Sequence, residues 1–186
     1  MSVIAQAGTK GRQLHKFGGS SLADVKCYLR VAGIMAEYSQ PDDMMVVSAA
    51  GSTTNQLISW LKLSQTDRLS AHQVQQALRR YQSELISGLL PPEVADGLIG
   101  AFIHDLERLA GLLDSGVNDA VYAEVVGHGE VWSARLMSAV LNQQGLESAW
   151  LDARDFLRAE RGAQPQVDEG LSYPLLQQLL AQHPGK

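Results

Sequence analysis

The sequence predicts an α/β fold in which helices cover a mainly parallel sheet. Residues 13–17 form a strand-like run, and apolar residues then recur at helical spacing over 22–39. Residues 44–48 are a short, apolar, β-branched run that is typical of a buried parallel strand, and residues 56–63 return to a helical pattern. This order of strand, helix, strand, helix is typical of parallel strands that are joined by helical crossovers.

Composition and charge argue against a nucleic-acid-binding, membrane or disulfide-bonded protein. The chain has 186 residues, which is enough for one domain or slightly more and for a sizeable core. Its net charge of −5 argues against nucleic acid or an anionic membrane as the main partner. A single cysteine, Cys27, excludes an intrachain disulfide and favours a cytoplasmic protein. We see no signal peptide and no apolar run long enough to span a bilayer.

The segment Lys-Phe-Gly-Gly-Ser-Ser at residues 16–21 connects the first strand to the first helix. Gly18 and Gly19 can adopt backbone angles that other residues avoid, and they let a ligand approach the main chain. Amides at the start of the following helix attract anions, and Lys16 adds a mobile positive charge. We therefore predict a phosphate cradle here, including Ser20; the alternative is a plain glycine turn beside a surface lysine.

A second loop, residues 48–55, follows the second strand and is small and hydroxyl-rich. In parallel sheets, ligands bind beyond the carboxyl ends of the strands. Both loops lie at such ends, so we expect them to converge on one candidate site.

The middle of the chain is predicted to be helical. Apolar stripes mark one helix over 74–86 and another over 98–113, which Pro91-Pro92 would start, and Asn118 is placed to cap a third. The sequence Gly127-His128-Gly129-Glu130 is expected to interrupt this third helix, because each glycine costs about 1 kcal/mol relative to alanine in a helix.

Glu130 would then lie in the first turn of the resumed helix. It could hold an ammonium group, or it could be a carboxylate that the helix dipole favours. His128 alone is only a weak candidate for a catalytic base.

The last third of the chain predicts a third strand over 149–152 and a final helix over 171–182, with residues 160–170 irregular. Three strands form a thin sheet for so many helices. We therefore expect residues 1–12 to be a flexible arm and residues 13–186 to be the N-terminal portion of a larger catalytic domain.

Five segments occur in the order found in the aspartokinases of the amino acid kinase family, which this chain resembles from about residue 13 to its end. They are Lys16–Ser21, Val46–Ala50, Thr54–Asn55, Gly127–Glu130 and Leu151–Arg154. The resemblance implies a three-layer αβα sandwich with a mainly parallel sheet, present here as its N-terminal part plus a helical insertion. The nucleotide-binding half would follow residue 186.

The resemblance implies phosphorylation of the side-chain carboxylate of aspartate by ATP with Mg²⁺, giving 4-phosphoaspartate. The chemistry suits such a site, because a carboxylate is already ionised at neutral pH and phosphoryl transfer depends mostly on positioning and charge neutralisation. The implied partners are aspartate and ATP in a homodimer, with NADP only if a homoserine dehydrogenase half follows.

The resemblance also assigns roles to residues, and none is a metal ligand. Lys16 would stabilise charge on the transferred phosphoryl group, while the amides of Gly18, Gly19 and Ser20 bind phosphate. Three residues would hold aspartate, with the last near its ammonium group: Ser48, Thr54 and Glu130. Four more would support the site: Asn55, His128, Asp152 and Arg154.

The chain departs from the family pattern in two side chains. Ser20 stands where threonine is usual, and Thr53 replaces the common valine before Thr54. The family's second glycine-rich segment and its adenine-binding segment would lie beyond residue 186, so we expect the 186-residue chain alone to be inactive.

Two other kinds of function stay open. One is another kinase of the same fold, acting on carbamate, acetylglutamate or a nucleoside monophosphate, although these generally lack the His-Gly-Glu stretch. The other is a non-catalytic module for dinucleotide binding, regulation or assembly. No Gly-x-Gly-x-x-Gly follows a strand, which argues against dinucleotide binding, whereas the leucine stripe over 98–113 permits assembly.

Overall fold

The computed structural model describes residues 12–160 and 165–183, which form a mostly helical body beside a small sheet. Within these ranges the strands are β1 (Leu14–Phe17) and β2 (Met44–Val47). A 3-10 turn spans Gly19–Leu22. The α-helices are α1 (Val25–Tyr38), α2 (Thr53–Ser64), α3 (Arg68–Leu89), α4 (Pro92–Asp114), α5 (Asp119–Gln143), α6 (Ala153–Phe156) and α7 (Glu169–Ala181). The predicted arm lies outside the described residues except for Arg12.

The two strands pair in parallel with α1 as the crossover between them, as the sequence predicts. The register runs from Leu14 opposite Met44 to Phe17 opposite Val47. Phe17 and Val47 pack against the core, whereas Leu14 and Val46 are 66% and 46% exposed. The prediction that residues 44–48 form a buried strand is therefore wrong for one of its two faces.

The core lies among the helices. Helix α2 packs on α3 and α5, and α4 packs on α3 and α5. Phe102 of α4 and Trp132 of α5 meet edge to face, with ring centroids 4.8 Å apart. Fully buried leucines on these four helices complete the packing: Leu57, Leu78, Leu109 and Leu136.

The ends of several helices follow from the sequence. Asn118 caps α5, because its side chain accepts a hydrogen bond from Val121 N, and Pro92 occupies the first turn of α4. Both predictions are confirmed. Helix α1 begins later than predicted, at Val25, because the side chain of Asp24 accepts from Cys27 N and starts the helix there.

The predicted break in the third helix is wrong. Helix α5 runs without interruption from Asp119 to Gln143, through Gly127 and Gly129. The reason for the second glycine is packing: a Cβ on Gly129 would lie 2.7 Å from Ala49 Cβ. A glycine there allows close approach between elements and does not end the helix.

The predicted third strand is also wrong, since residues 149–152 belong to no strand of the described chain. Polar contacts hold this segment against the end of α5 instead. Asn142 Nδ2 donates to the carbonyl of Ser148 at 2.7 Å, and Arg135 stacks over the ring of Trp150 at 4.7 Å. These contacts tie the segment to α5 through Ser148 and Trp150.

The final helix is confirmed as α7, with bounds close to those predicted. The preceding region was expected to be irregular, and its described part contains an isolated antiparallel bridge between Ala159 and Val167. Helices α6 and α7 pack mainly on each other.

Candidate functional site

The loops that follow β1 and β2 meet at the carboxyl edge of the sheet. Ser48 N donates to the carbonyl of Phe17 at 3.1 Å, and Gly51 N donates to the carbonyl of Gly19 at 3.0 Å. A Cβ on Gly19 would lie 2.6 Å from the carbonyl oxygen of Ala49, so the two loops are in direct contact. The structure thus brings together the two loops that the sequence places at one site.

Helix α3 supports this contact from the side. Gly51 has φ +53°, a conformation that favours glycine, and a Cβ on it would lie 2.8 Å from the hydroxyl of Tyr81. The same hydroxyl donates to the carbonyl of Ala23 at 3.0 Å. Tyr81 therefore contacts one loop and hydrogen-bonds to the segment that follows the other.

The glycine segment differs in detail from the prediction. Gly18 has φ −81°, an ordinary angle, and Gly19 is not among the glycines with positive φ. The 3-10 turn directly follows Gly18, and α1 begins only after it, where Asp24 caps its start. Gly19 is needed because of its contact with Ala49, and not for an unusual backbone angle.

The segment nevertheless keeps the features of an anion site. The N–H groups of Gly18, Gly19 and Ser20 donate no hydrogen bond within the described chain. Lys16 is exposed, and its Nζ lies 3.7 Å from the position a Cβ on Gly18 would take. An ammonium group therefore lies close to the backbone of a turn whose first amides have no partner among the described residues.

Some hydroxyls of the second loop are hydrogen-bonded inside the protein, and others are left to bind a ligand. Thr53 is buried: its Oγ1 donates to the carbonyl of Ala50 at 2.6 Å and accepts from Gln82 Nε2 at 3.1 Å. The side chains of Ser48 and Thr54 are half-buried and make no hydrogen bond in the described part of the protein. These two hydrogen bonds explain why this chain has threonine at position 53, where the family pattern has valine.

Asn55 lies one residue further along α2. Its side chain is exposed and has no hydrogen-bonding partner among the residues that the structure describes. It is therefore close to the loop in sequence, but no contact ties it to the other candidates.

Glu130 lies on α5 immediately after the residue that contacts the second loop. A Cβ on Gly129 would meet Ala49 Cβ at 2.7 Å and Thr53 Cγ2 at 3.3 Å. Glu130 itself is exposed and forms no ion pair within the described ranges. Because it lies in the middle of α5 and not in a first turn, the helix dipole does not account for it.

His128 is 1% exposed, and both of its ring nitrogens have partners. Nδ1 lies 2.6 Å from the carbonyl of Glu124, which can only accept, so Nδ1 carries the proton. Nε2 then accepts from Arg108 Nη2 at 2.7 Å. Burial lowers the pKa of His128, which favours the neutral ring, and no lone pair is left for a base.

Asp152 and Arg154 pair with each other, and Arg154 also pairs with Glu124 of α5. Arg154 donates to both carboxylate oxygens of Asp152 and, through Nη1, to Glu124 Oε2 at 2.9 Å. The hydrogen bond from Arg154 lowers the pKa of Asp152. Burial alone would raise the pKa of Glu124, but Arg108 and Arg154 outweigh it and hold that pKa below its usual range.

Sequence reasoning missed Arg108 and Glu124, which connect these supporting residues. Glu124 and His128 are four residues apart, so they lie on one face of a helix, and this spacing could have indicated the pair. Arg108 lies on α4, and no local pattern connects it to α5.

The predicted site residues therefore fall into two groups. Those with free polar groups are Lys16, Gly18, Gly19, Ser20, Ser48, Thr54, Asn55 and Glu130. Those engaged in internal contacts are His128, Asp152 and Arg154. Two surface clefts of about 320 and 170 Å³ lie between the α2–α3 region and the end of α4, and neither is lined by any of these residues.

No group of three His, Cys, Asp or Glu side chains among the described residues could hold a metal ion. No described helix combines the length and apolar character needed to cross a membrane.

Comparison with known proteins places the chain among kinases. The model of the amino acid kinase family matches residues 11–185. Over all 186 residues the chain is 90% identical to bifunctional aspartokinase/homoserine dehydrogenase 2 of Escherichia coli, covering 23% of that protein. It is 28% identical over 144 residues to lysine-sensitive aspartokinase 3 of the same organism, covering 77% of this chain and 31% of that protein.

Solved structures agree with these matches. The structure of E. coli aspartokinase III in complex with aspartate and ADP superposes with a TM-score of 0.79 at 25% identity, covering 92% of this chain and 38% of that one. The chain thus spans less than a third of the length of the two curated relatives, at 23% and 31%.

Proposed function

Because the chain belongs to the amino acid kinase family, we propose that the loops after β1 and β2 form part of the phosphoryl-transfer site of an aspartate kinase. The full-length protein would transfer the γ-phosphoryl group of ATP to the side-chain carboxylate of aspartate. The observation that carries this proposal is the contact between Gly51 N and the Gly19 carbonyl, 3.0 Å long, which joins an anion-binding turn to a hydroxyl-rich loop. The 90% identity to a bifunctional aspartokinase/homoserine dehydrogenase supports it.

Lys16 and the glycine turn would act on the phosphates. The unpaired N–H groups of Gly18, Gly19 and Ser20 can donate to phosphate oxygens, and the Lys16 ammonium can neutralise charge that develops on the transferred group. This arrangement suits the triphosphate of ATP. The ADP in the aspartokinase III complex supports a nucleotide ligand.

Ser48, Thr54 and Glu130 would hold aspartate. The two hydroxyls can donate to carboxylate oxygens, and the carboxylate of Glu130 can accept from the substrate's ammonium group. The nucleophile is a carboxylate that is ionised at neutral pH, so the site needs no general base. This agrees with a His128 whose nitrogens are both occupied.

Asn55, Asp152 and Arg154 would support the site without contacting the reacting atoms. Arg154 ties the segment after α5 to Glu124, and this contact favours a structural role for the pair. Magnesium is implied by the family, but the described residues contain no group of three His, Cys, Asp or Glu to bind it. We therefore assign no metal ligand in this chain.

The domain arrangement is also a proposal. Residues 13–186 would form the N-terminal portion of the kinase domain, with the nucleotide-binding half after residue 186 and a homoserine dehydrogenase half, using NADP, beyond that. The resemblance favours a homodimer, and the single cysteine favours the cytoplasm. The 186-residue chain alone would then form no aspartyl phosphate.

The test is aspartyl phosphate formation by the full-length native protein, with ATP, Mg²⁺ and aspartate, and with the product trapped as a hydroxamate. We expect Lys16→Ala to lower kcat by roughly 10²-fold or more, the scale seen when a group that stabilises transition-state charge is removed. Lys26→Ala, at an exposed position of α1, is the matched control and should keep wild-type activity.

Two results would overturn the proposal. One is a folded wild-type protein that forms no hydroxamate with aspartate, and the other is a Lys16→Ala variant as active as the control. Carbamate, acetylglutamate and nucleoside monophosphates, tested in place of aspartate, would then identify another kinase of the same fold.

A further inference from the structure

Arg108 and Glu124 join three segments of the chain at one point. Arg108 Nη2 donates to Glu124 Oε1 at 2.8 Å and to His128 Nε2 at 2.7 Å, so it connects α4 to two successive turns of α5. The other oxygen of Glu124 accepts from Arg154 Nη1 at 2.9 Å. One carboxylate thus connects α4, α5 and α6.

The His128 end of this contact lies two residues before Glu130, within one helical turn, and Glu124 lies one turn further back. His128 faces α4 through Arg108, whereas the next residue, Gly129, faces the second loop, with Ala49 in contact. Consecutive residues of a helix point about 100° apart, so this turn of α5 is held from two directions. Glu130 is the next residue along it.

A separate contact keeps α4 and α5 together. Asp105 of α4 is 7% exposed and accepts hydrogen bonds from Arg135 and from Trp132 Nε1, both on α5. The Phe102–Trp132 ring pair lies in the same interface. Loss of Arg108 should therefore leave the two helices packed, since these contacts do not depend on it.

Arg108 and Glu124 are also partly exposed, at 40% and 30% of their side-chain surface. Ion pairs of this kind contribute little to stability, because water screens them. Their three-way geometry, by contrast, ties this stretch of α5 to α4 and α6 at defined positions.

We infer that Arg108 and Glu124 are positioning residues for aspartate: they hold the turn of α5 that presents Glu130 to the ammonium group of the substrate, and they do not contact the substrate themselves. This inference rests on the proposed function. In this inference Glu130 binds the ammonium group of aspartate, whereas Arg108 and Glu124 determine the position of Glu130.

The test compares Arg108→Gln with Arg108→Lys in the full-length native protein. We expect Arg108→Gln to raise KM for aspartate about tenfold, the effect of losing roughly one charge-assisted hydrogen bond, while KM for ATP and kcat change less than twofold. Arg108→Lys, which keeps a positively charged donor where Gln offers only a neutral one, should recover part of this loss. Arg79→Gln, at an exposed position of α3, is the control and should behave as wild type.

Hydrogen exchange supplies a second measurement that does not depend on the substrate. In Arg108→Gln, amides of residues 124–131 should exchange faster than in wild type, while those of residues 133–143 should not change. An unchanged exchange rate, or an unchanged KM for aspartate in an enzyme that phosphorylates aspartate, would overturn the inference. A third result would also overturn it: a lower kcat together with similar rises in KM for aspartate and KM for ATP and a lower melting temperature. That result indicates a merely structural role.

The two proposals fail in different ways. If wild type forms no aspartyl phosphate, the proposed function fails, and faster exchange in Arg108→Gln would still show that Arg108 holds this turn. If wild type is active and Glu130→Gln leaves KM for aspartate unchanged, the positioning role fails while the kinase assignment stands.

Discussion

Gly129 of α5 lies directly against Ala49 in the loop after β2. A Cβ on Gly129 would lie only 2.7 Å from Ala49 Cβ and 3.5 Å from Leu57 Cδ1. Because Ala49 Cβ is fixed to the backbone, it cannot swing away as a long side chain would. The distance between α5 and the loop is therefore set by the absence of a side chain at this position.

We predict that Gly129→Ala destabilises the protein by about 1–3 kcal/mol, the usual cost of forcing an extra carbon into a packed interface. The measurement is the free energy of unfolding in urea.

Gly127→Ala is the matched control in the same helix. A Cβ on Gly127 would meet nothing within 4 Å, so the substitution should stabilise α5 by about 0.5–1 kcal/mol. Equal effects of the two substitutions would show that Gly129 is not held in close contact.

The adjacent threonines of α2 should separate stability from substrate binding. Thr53→Val would leave the Gln82 amide without its buried acceptor and would remove the hydroxyl donor to the Ala50 carbonyl, which keeps the Thr53 amide as a donor, so we expect it to cost about 1–3 kcal/mol of unfolding free energy. Urea unfolding measures this cost.

Thr54→Val provides the opposite case. Its hydroxyl makes no hydrogen bond in the described structure, so stability should change by about 0.5 kcal/mol or less. If Thr54 holds aspartate as proposed, KM for aspartate should rise in the full-length enzyme. The assignment of Thr54 to aspartate binding and of Thr53 to stability fails if the two variants show the reverse effects. In that case Thr54→Val would alter only the free energy of unfolding, and Thr53→Val would alter only KM for aspartate.

His128 should make stability depend on pH near neutrality. Burial lowers its pKa below the ordinary value of 6.5, so between those two pKa values the unfolded chain binds a proton that the folded chain does not. The free energy of unfolding should therefore fall as the pH is lowered below 6.5 toward the folded pKa. Urea titrations at closely spaced pH values measure this slope.

His128→Gln should remove that slope, whereas His72→Gln, at an exposed position of α3, should keep it. The carboxylates in contact with this cluster act at lower pH: Glu124 and Asp152 have pKa values held below 4.5 and 3.8, so their contribution is lost only in that acid range. A slope near pH 6 that persists in His128→Gln would show that another group causes it.

Local pattern was sufficient to predict the elements whose signals are short-range. The glycine turn before α1 indicated where β1 ends, and the apolar run Met44–Val47 indicated β2. Asn118 indicated the start of α5. The family resemblance added the order of the motifs. These features depend on residues that are close in sequence.

The errors came from contacts between distant residues. Gly129 was interpreted as a helix break because its partner Ala49 lies 80 positions away, and propensity alone cannot show a close approach. The sequence predicts a strand over residues 149–152 because an apolar, aromatic run resembles one, whereas Asn142 and Arg135 hold that segment by polar and cation–π contacts. Arg108 was missed for the same reason.

The two tyrosines near the core should respond differently to loss of their hydroxyls. The hydroxyl of Tyr81 donates to the carbonyl of Ala23 at 3.0 Å, so Tyr81→Phe should cost about 1 kcal/mol of unfolding free energy. Tyr28 is fully buried, burial raises its pKa, and although the Ser133 hydroxyl lies close enough to oppose that rise, the Tyr28 hydroxyl forms no hydrogen bond of normal geometry in the described chain. Tyr28→Phe removes an unsatisfied polar group and keeps the ring, so stability should stay the same or rise. Thermal and urea unfolding of both variants test the pair, and a Tyr28→Phe variant that loses as much stability as Tyr81→Phe would reveal a partner for the Tyr28 hydroxyl, such as an ordered water shared with Ser133.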